Sequence, residues 1–382
     1  MRARRLALLL PAGLALVLGV NGGLGLLGLP SAPVSQRLPD VHGFLLVLGF
    51  VGTLVALERA VALRRPLGFA APALLGAGGL VLVSALPLRA GQSLLVAGVA
   101  ALLGVYFLLW RRQRDDAVLV QALGAVLALG AAVLWLGGVP VPRLLPWLAG
   151  FVVLTIAGER LELARLEMAG AGTPPVLLAG VGALVCTVVA TLLWPDVGYP
   201  ALGLVLLGLV VWLGSHDVAR RTVRASGLPR FVAACLLAGY AWLATAGLVW
   251  ALSARVLDGP AYDAAVHAVF VGFTLSMIMA HAPVILPAVL RVSLPYHPAM
   301  YVPAALLHAS LLVRLAIGDA RDVEGARQAG GALGAAAIGL LIGVLVWSAT
   351  RPTPIGTARA TRAAAGPPAA TRSDAHVLEA AR

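Results

Sequence analysis

The chain has 382 residues, of which 60 % are hydrophobic and 12 % charged, with a mean hydropathy of +0.96. Soluble globular chains run at about 45–50 % apolar and about 25 % charged, so this composition excludes a soluble enzyme, a disordered chain and a nucleic-acid module. The formal net charge of +12 does not point to nucleic acid either: all 28 basic residues are arginines, set in short clusters between long apolar runs, which is the pattern of membrane topology.

Twelve apolar runs approach or exceed the roughly 20 residues that cross a bilayer. They predict an all-α, polytopic membrane helix bundle forming one transmembrane domain over 1–350. The first run, 6–28, follows Arg2, Arg4 and Arg5 and imitates a secretory leader. No clean cleavage site follows it, so it reads as a retained first span. The second, 42–63, opens on His42 and closes on Glu58-Arg59. Runs at 68–88, 91–110 and 117–138 follow, then 145–165, which closes on Glu159-Arg160. Runs at 174–194, 198–216 and 230–252 hold the two cysteines, Cys186 and Cys235, which offer neither a disulfide framework nor a CxxC metal site. The tenth run, 264–289, carries His267 and His281, with Pro283 and Pro287 expected to kink or end it. Runs at 299–318 and 328–348 complete the set. The tail, 351–382, has no apolar period and reads as a disordered cytoplasmic segment.

Counted by alternate ends of these runs, 21 arginines fall on one side and 7 on the other. The positive-inside rule places the richer side, with both termini, in the cytoplasm of a bacterial inner membrane. Six tryptophans, Trp110, Trp135, Trp147, Trp194, Trp250 and Trp347, fall near run ends, where the indole N–H reaches water. Trp242 falls mid-run and is expected between helices.

One weak echo runs through the chain. Phe50-Val51-x4-Ala56-x-Glu58-Arg59 recurs 101 residues later as Phe151-Val152-x4-Ala157-x-Glu159-Arg160. A duplication and coincidence in a biased composition explain it equally well. Both Glu-Arg pairs fall at cytoplasmic run ends, where they are expected to anchor in interfacial water; a proton entrance is the alternative.

The histidines carry the chemistry. His42 and His267 open two runs that cross in the same direction, so both imidazoles are expected at similar depth near the outer face. Two histidines at equal depth on different helices suit the two faces of a haem iron. Gly43, Gly49 and Gly272 are expected to let those helices approach. A hydrogen-bonded packing role is the alternative for each. His281 shares a helix face with His267 but lies about 21 Å further in, at 1.5 Å per residue. It cannot join the same metal, and a second, inner ligand site around it is the further expectation.

These same segments resemble a known family. His267-Ala-Val-Phe-Val-Gly-Phe-Thr-Leu-Ser-Met-Ile-Met-Ala280 is similar to the His-Ala-x-x-Val-Gly-x4-Met-Ile segment of NnrS proteins, and His42-x6-Gly49-Phe50 resembles that family's His-x-His-x4-Gly-Phe. Phe44 stands where the family has its second histidine. The NnrS resemblance, distantly shared with the catalytic subunit of haem–copper oxidases, implies haem held by His42 and His267. It leaves copper open, and implies a role in the response to nitric oxide or redox stress. The partners it implies are the lipid bilayer, haem and a small gaseous ligand such as nitric oxide. A multi-span transporter or exporter and a non-catalytic membrane assembly factor are the competing functions.

Overall fold

A computed structural model describes residues 2–167 and 175–351, with side chains over 5–162 and 175–351. The tail expected to be disordered lies outside the described residues from 352 on, His376 included. Among these there is no strand. The elements are twelve helices: α1 (Arg2–Leu26), α2 (Leu38–Leu63), α3 (Pro66–Leu82), α4 (Leu88–Gln113), α5 (Asp116–Leu136), α6 (Val141–Glu167), α7 (Pro175–Leu193), α8 (Pro195–His216), α9 (Leu228–Leu252), α10 (Gly259–Leu290), α11 (Pro298–Asp319) and α12 (Glu324–Thr350). A further single turn, Ala219–Thr222, joins α8 to α9. In hydrocarbon every backbone N–H and C=O must find its partner within the segment, which is why apolar runs of this length resolve as helices and nothing else.

Eleven of the twelve are long and apolar enough to cross a membrane. The exception is α3, expected over 68–88 but ending at Leu82. Its first turn, Pro66–Phe69, is a 3-10 helix, and Pro87 starts the next helix. At about 1.5 Å per residue, and more in the 3-10 turn, its 17 residues still approach the roughly 30 Å of a hydrocarbon core.

Long-range polar bonds fix the alternation of the helices. Arg5 Nη1 donates to the Val289 carbonyl, and Ser348 Oγ to that of Pro295, at one end of the bundle. Arg37 Nη1 donates to the Leu86 carbonyl and Gln328 Nε2 to that of Leu27 at the other. Each bond joins two helix ends that the arginine count puts on one side. The two ends are called here arginine-rich and arginine-poor. Three helices, α2, α4 and α10, end at the rich side on an arginine in left-handed backbone, Arg64, Arg114 and Arg291. Glycine is the usual residue at such a position.

Close crossings use small residues. At the α8–α9 crossing, a Cβ on Gly203 would sit 2.3 Å from the Ala251 nitrogen and 2.5 Å from the Gly247 oxygen. At the α2–α3 crossing, a Cβ on Gly79 would sit 3.0 Å from the Gly49 Cα. Trp242 does lie between helices: its ring covers Gly272 of α10, and its Nε1 donates to His308 Nδ1 of α11 at 3.0 Å.

Candidate functional site

The arginine-poor half of the bundle brings together side chains from α2, α10 and α11. His42 sits on the second turn of α2, with Nδ1 2.6 Å from the Pro39 carbonyl. His267 sits on the third turn of α10, with Nδ1 2.8 Å from the Asp263 carbonyl and 3.2 Å from its Oδ1. A carbonyl only accepts, so each Nδ1 must carry the proton, and each Nε2 keeps a free lone pair. That is how metal-ligating histidines are oriented from behind. His42 lies within electrostatic range of both His267 and Arg314. Arg314 grips Asp263 with a two-pronged bond, Nε to Oδ2 at 2.7 Å and Nη2 to Oδ1 at 2.8 Å. Asp263 therefore ties His267 on α10 to α11.

Three π-helical segments lie in this half. Leu45–Gly52 begins three residues after His42, Ala268–Phe273 directly follows His267, and Leu312–Asp319 contains Arg314. A π turn widens the helix and shifts the facing of every residue beyond it, and such turns concentrate at functional sites. The first two end on a buried threonine that closes the turn: Thr53 Oγ1 donates to the Gly49 carbonyl at 2.7 Å, and Thr274 Oγ1 to that of Val269 at 2.9 Å.

Several expectations are corrected here. Both helices start earlier than their apolar runs, so neither histidine opens its span; the N-terminal prolines Pro39 and Pro260 start the helices ahead of the runs. The glycines do not shape a slot between α2 and α10. Gly49 packs on α3 and Gly272 under Trp242, while Gly43 faces open space. The two helices do touch, through Thr53–Leu63 and Thr274–Leu290. Phe44 is fully buried and stacks on Trp135 of α5, ring centroids 4.0 Å apart. Position 44 is thus a packing position directed at α5. Arg314, counted among the loop arginines, lies inside α11, because the pair with Asp263 stands in for water.

The arginine-rich half holds a second polar cluster. Glu58 and Glu159 do not reach out to interfacial water. Their side chains are 23 % and 13 % exposed, and that of Arg59 8 %, within two adjacent polar groups. Arg59 Nη2 pairs with Glu58 at 2.5 Å and its Nη1 with Glu162 at 3.4 Å. Arg160 Nη2 contacts His281 Nε2 at 3.1 Å, and its Nη1 lies 3.8 Å from Asp217, which also accepts from the Tyr240 hydroxyl. His281 Nε2 is 4.0 Å from Glu159. The sequence signal for this cluster was the echo itself. A cavity of about 350 Å3 between α1, α2, α6, α10 and α12 is lined by both copies: Phe50 and Phe151, Val51 and Val152, Glu58 and Glu159. The Phe, Val and Glu of each copy thus line one shared space.

On the arginine-poor side the two imidazoles each turn Nδ1 to a backbone carbonyl of their own helix. The 350 Å3 cavity begins further in, at Phe50 and Thr274, and neither His42 nor His267 lines it. Around His281 the arrangement is different, because its Nδ1 faces the Met277 carbonyl at 2.7 Å and its Nε2 faces Arg160. The lone pair that the expected second ligand site needs is already engaged. Among the described residues no three His, Cys, Asp or Glu side chains converge to hold a bare metal ion such as copper. Sequence reading missed Asp263 and Arg314. The Asp263-x3-His267 spacing, one helical turn, was the available signal for the first.

Fold and composition together define a polytopic, all-helical membrane protein with polar clusters in both halves of the bundle. The chain belongs to the family DUF8744, a domain of unknown function, which matches residues 5–350. No curated protein and no solved structure matches it.

Proposed function

We propose that this protein is a haem-binding membrane protein of NnrS type, acting in nitric oxide or redox stress, with His42 and His267 as the ligands to one iron. The observation that carries the reading is the pair of imidazoles. They belong to different helices, lie within electrostatic reach, and each has Nδ1 tethered to its own helix and Nε2 free. Bound haem would supply an iron that takes up and releases an electron. Asp263 orients His267 and is itself held by Arg314, so α11 sets the position of one ligand. By the arginine split the rich end faces the cytoplasm of a bacterial inner membrane, with the His pair toward the outer face.

The test is an absorption spectrum of the purified protein, with and without added haem. A Soret band is expected in the wild type, and its loss in His42→Ala and His267→Ala but not in His308→Ala. Purified protein that takes up no haem would overturn the reading.

A second reading, transport or export, is favoured by one observation, the membrane-embedded cavity with carboxylates at its arginine-rich end. Uptake into proteoliposomes tests it.

A further inference from the structure

The 350 Å3 cavity is apolar almost throughout. Its walls are Leu, Val, Ile, Phe and Ala side chains, and its two threonines spend their hydroxyls on their own helices: Thr155 donates to the Phe151 carbonyl and Thr274 to that of Val269. The ionisable residues among its lining are Glu58, Glu159 and His281, and no arginine lines it. The neighbouring arginines lie behind that wall, where Arg59 pairs with Glu58 at 2.5 Å. Arg59 lines a separate space at the arginine-rich end together with Glu162, and Arg160 is directed to His281 and Asp217. Two acidic groups thus face one apolar chamber, Glu58 backed by Arg59 and Glu159 set 4.0 Å from His281. Carboxylates are expensive inside a membrane unless positive charge matches them, and the four of this cluster, Glu58, Glu159, Glu162 and Asp217, meet two arginines, Arg59 and Arg160. An apolar chamber of this size with a few convergent polar groups is how small-molecule sites are built. The rim is also open to the bilayer, where Gly13 of α1 and Ile342 of α12 are exposed.

We propose that this cavity binds a lipophilic organic cation, entering from the bilayer between α1 and α12, with its apolar body against the Phe50 and Phe151 walls and its charge against Glu58 and Glu159. Each copy of the 101-residue echo brings one phenylalanine and one carboxylate to the lining. The inference names a ligand class for the transport reading and rests on the same cavity. It does not depend on haem.

The experiment uses the full chain in nanodiscs of zwitterionic lipid and tetraphenylphosphonium as the probe. Tetraphenylborate, of the same shape and opposite charge, is the control. Saturable binding of the cation is expected in the wild type, weakened about tenfold or more in Glu58→Gln and in Glu159→Gln, and unchanged in His216→Ala. Tetraphenylborate should not compete. In the wild type, tetraphenylphosphonium should also slow modification of Glu58 and Glu159 by dicyclohexylcarbodiimide, read by peptide mass; this arm needs no variant to fold. Equal binding of tetraphenylborate, wild-type affinity in Glu58→Gln/Glu159→Gln, or no protection of the two glutamates would each overturn the site. Binding with no transport in proteoliposomes would leave the site standing and overturn the transport reading.

Discussion

At the scale of single residues, the Asp263–Arg314 pair has the most to lose. It is a bidentate contact, with side chains 24 % and 12 % exposed, set within the bundle. Removing one partner leaves a charge unmatched in a poor solvent, which costs more than losing both. Arg314→Gln is expected to lower stability by about 2 kcal/mol in a detergent unfolding assay, and Asp263→Asn/Arg314→Gln by less than either single change predicts. Asp263→Asn should also perturb the Soret band of haem-loaded protein, because His267 loses the carboxylate behind Nδ1. A plain packing pair would lose stability and leave the spectrum unchanged.

At the scale of elements, the π turns and the glycine crossings set the geometry. Deleting Val47 from the π segment of α2 should convert it to a regular helix and turn His42 by about 100° relative to Thr53 and everything after it. The expected outcome is a folded protein, by size-exclusion profile, that no longer binds haem. Thr53→Val and Thr274→Val each remove a buried hydrogen bond that closes a π turn, at about 1 kcal/mol. The α8–α9 crossing gives a sharper contrast. Gly203→Ala would press a methyl group onto the backbone of Ala251 and Gly247, whereas Gly208 has no heavy atom within 4 Å of its would-be Cβ. Thermal unfolding should fall steeply for Gly203→Ala and stay unchanged, or rise slightly, for Gly208→Ala, since alanine is the better helix former.

At the scale of the whole molecule, the bundle is polarised by charge and divided by chemistry. Reporter fusions at Arg114 and Arg89 are expected to read cytoplasmic and external respectively; the reverse would invert the proposed orientation while leaving the helix packing intact. Between the two ends, the imidazole pair and the carboxylate cavity occupy opposite halves of the same two helices. Positions His42 and Glu58 both lie on α2, and His267 and His281 both on α10. The contact between those helices, through Thr53–Leu63 and Thr274–Leu290, lies on the cavity side of both π turns.

The helices could be read from the chain because a membrane makes a local demand: about 20 apolar residues with every backbone bond closed internally. Run lengths and arginine positions were therefore enough to predict an all-helical bundle and its alternation. The limit of local reading shows at α3, where a run of ordinary length stops at Leu82. His42, His267 and His281 were visible as residues, since ionisable groups are rare inside apolar runs. Their surroundings were not. Whether His267 has a carboxylate behind it depends on Arg314, 47 positions away on another helix, and whether His281 keeps its lone pair depends on Arg160 of α6. The echo of Glu58-Arg59 in Glu159-Arg160 was legible as a pattern, yet nothing local told an interfacial anchor from a cavity wall. Packing of α2, α6 and α10 decided that, because burial is a property of what surrounds a residue and not of the residue itself.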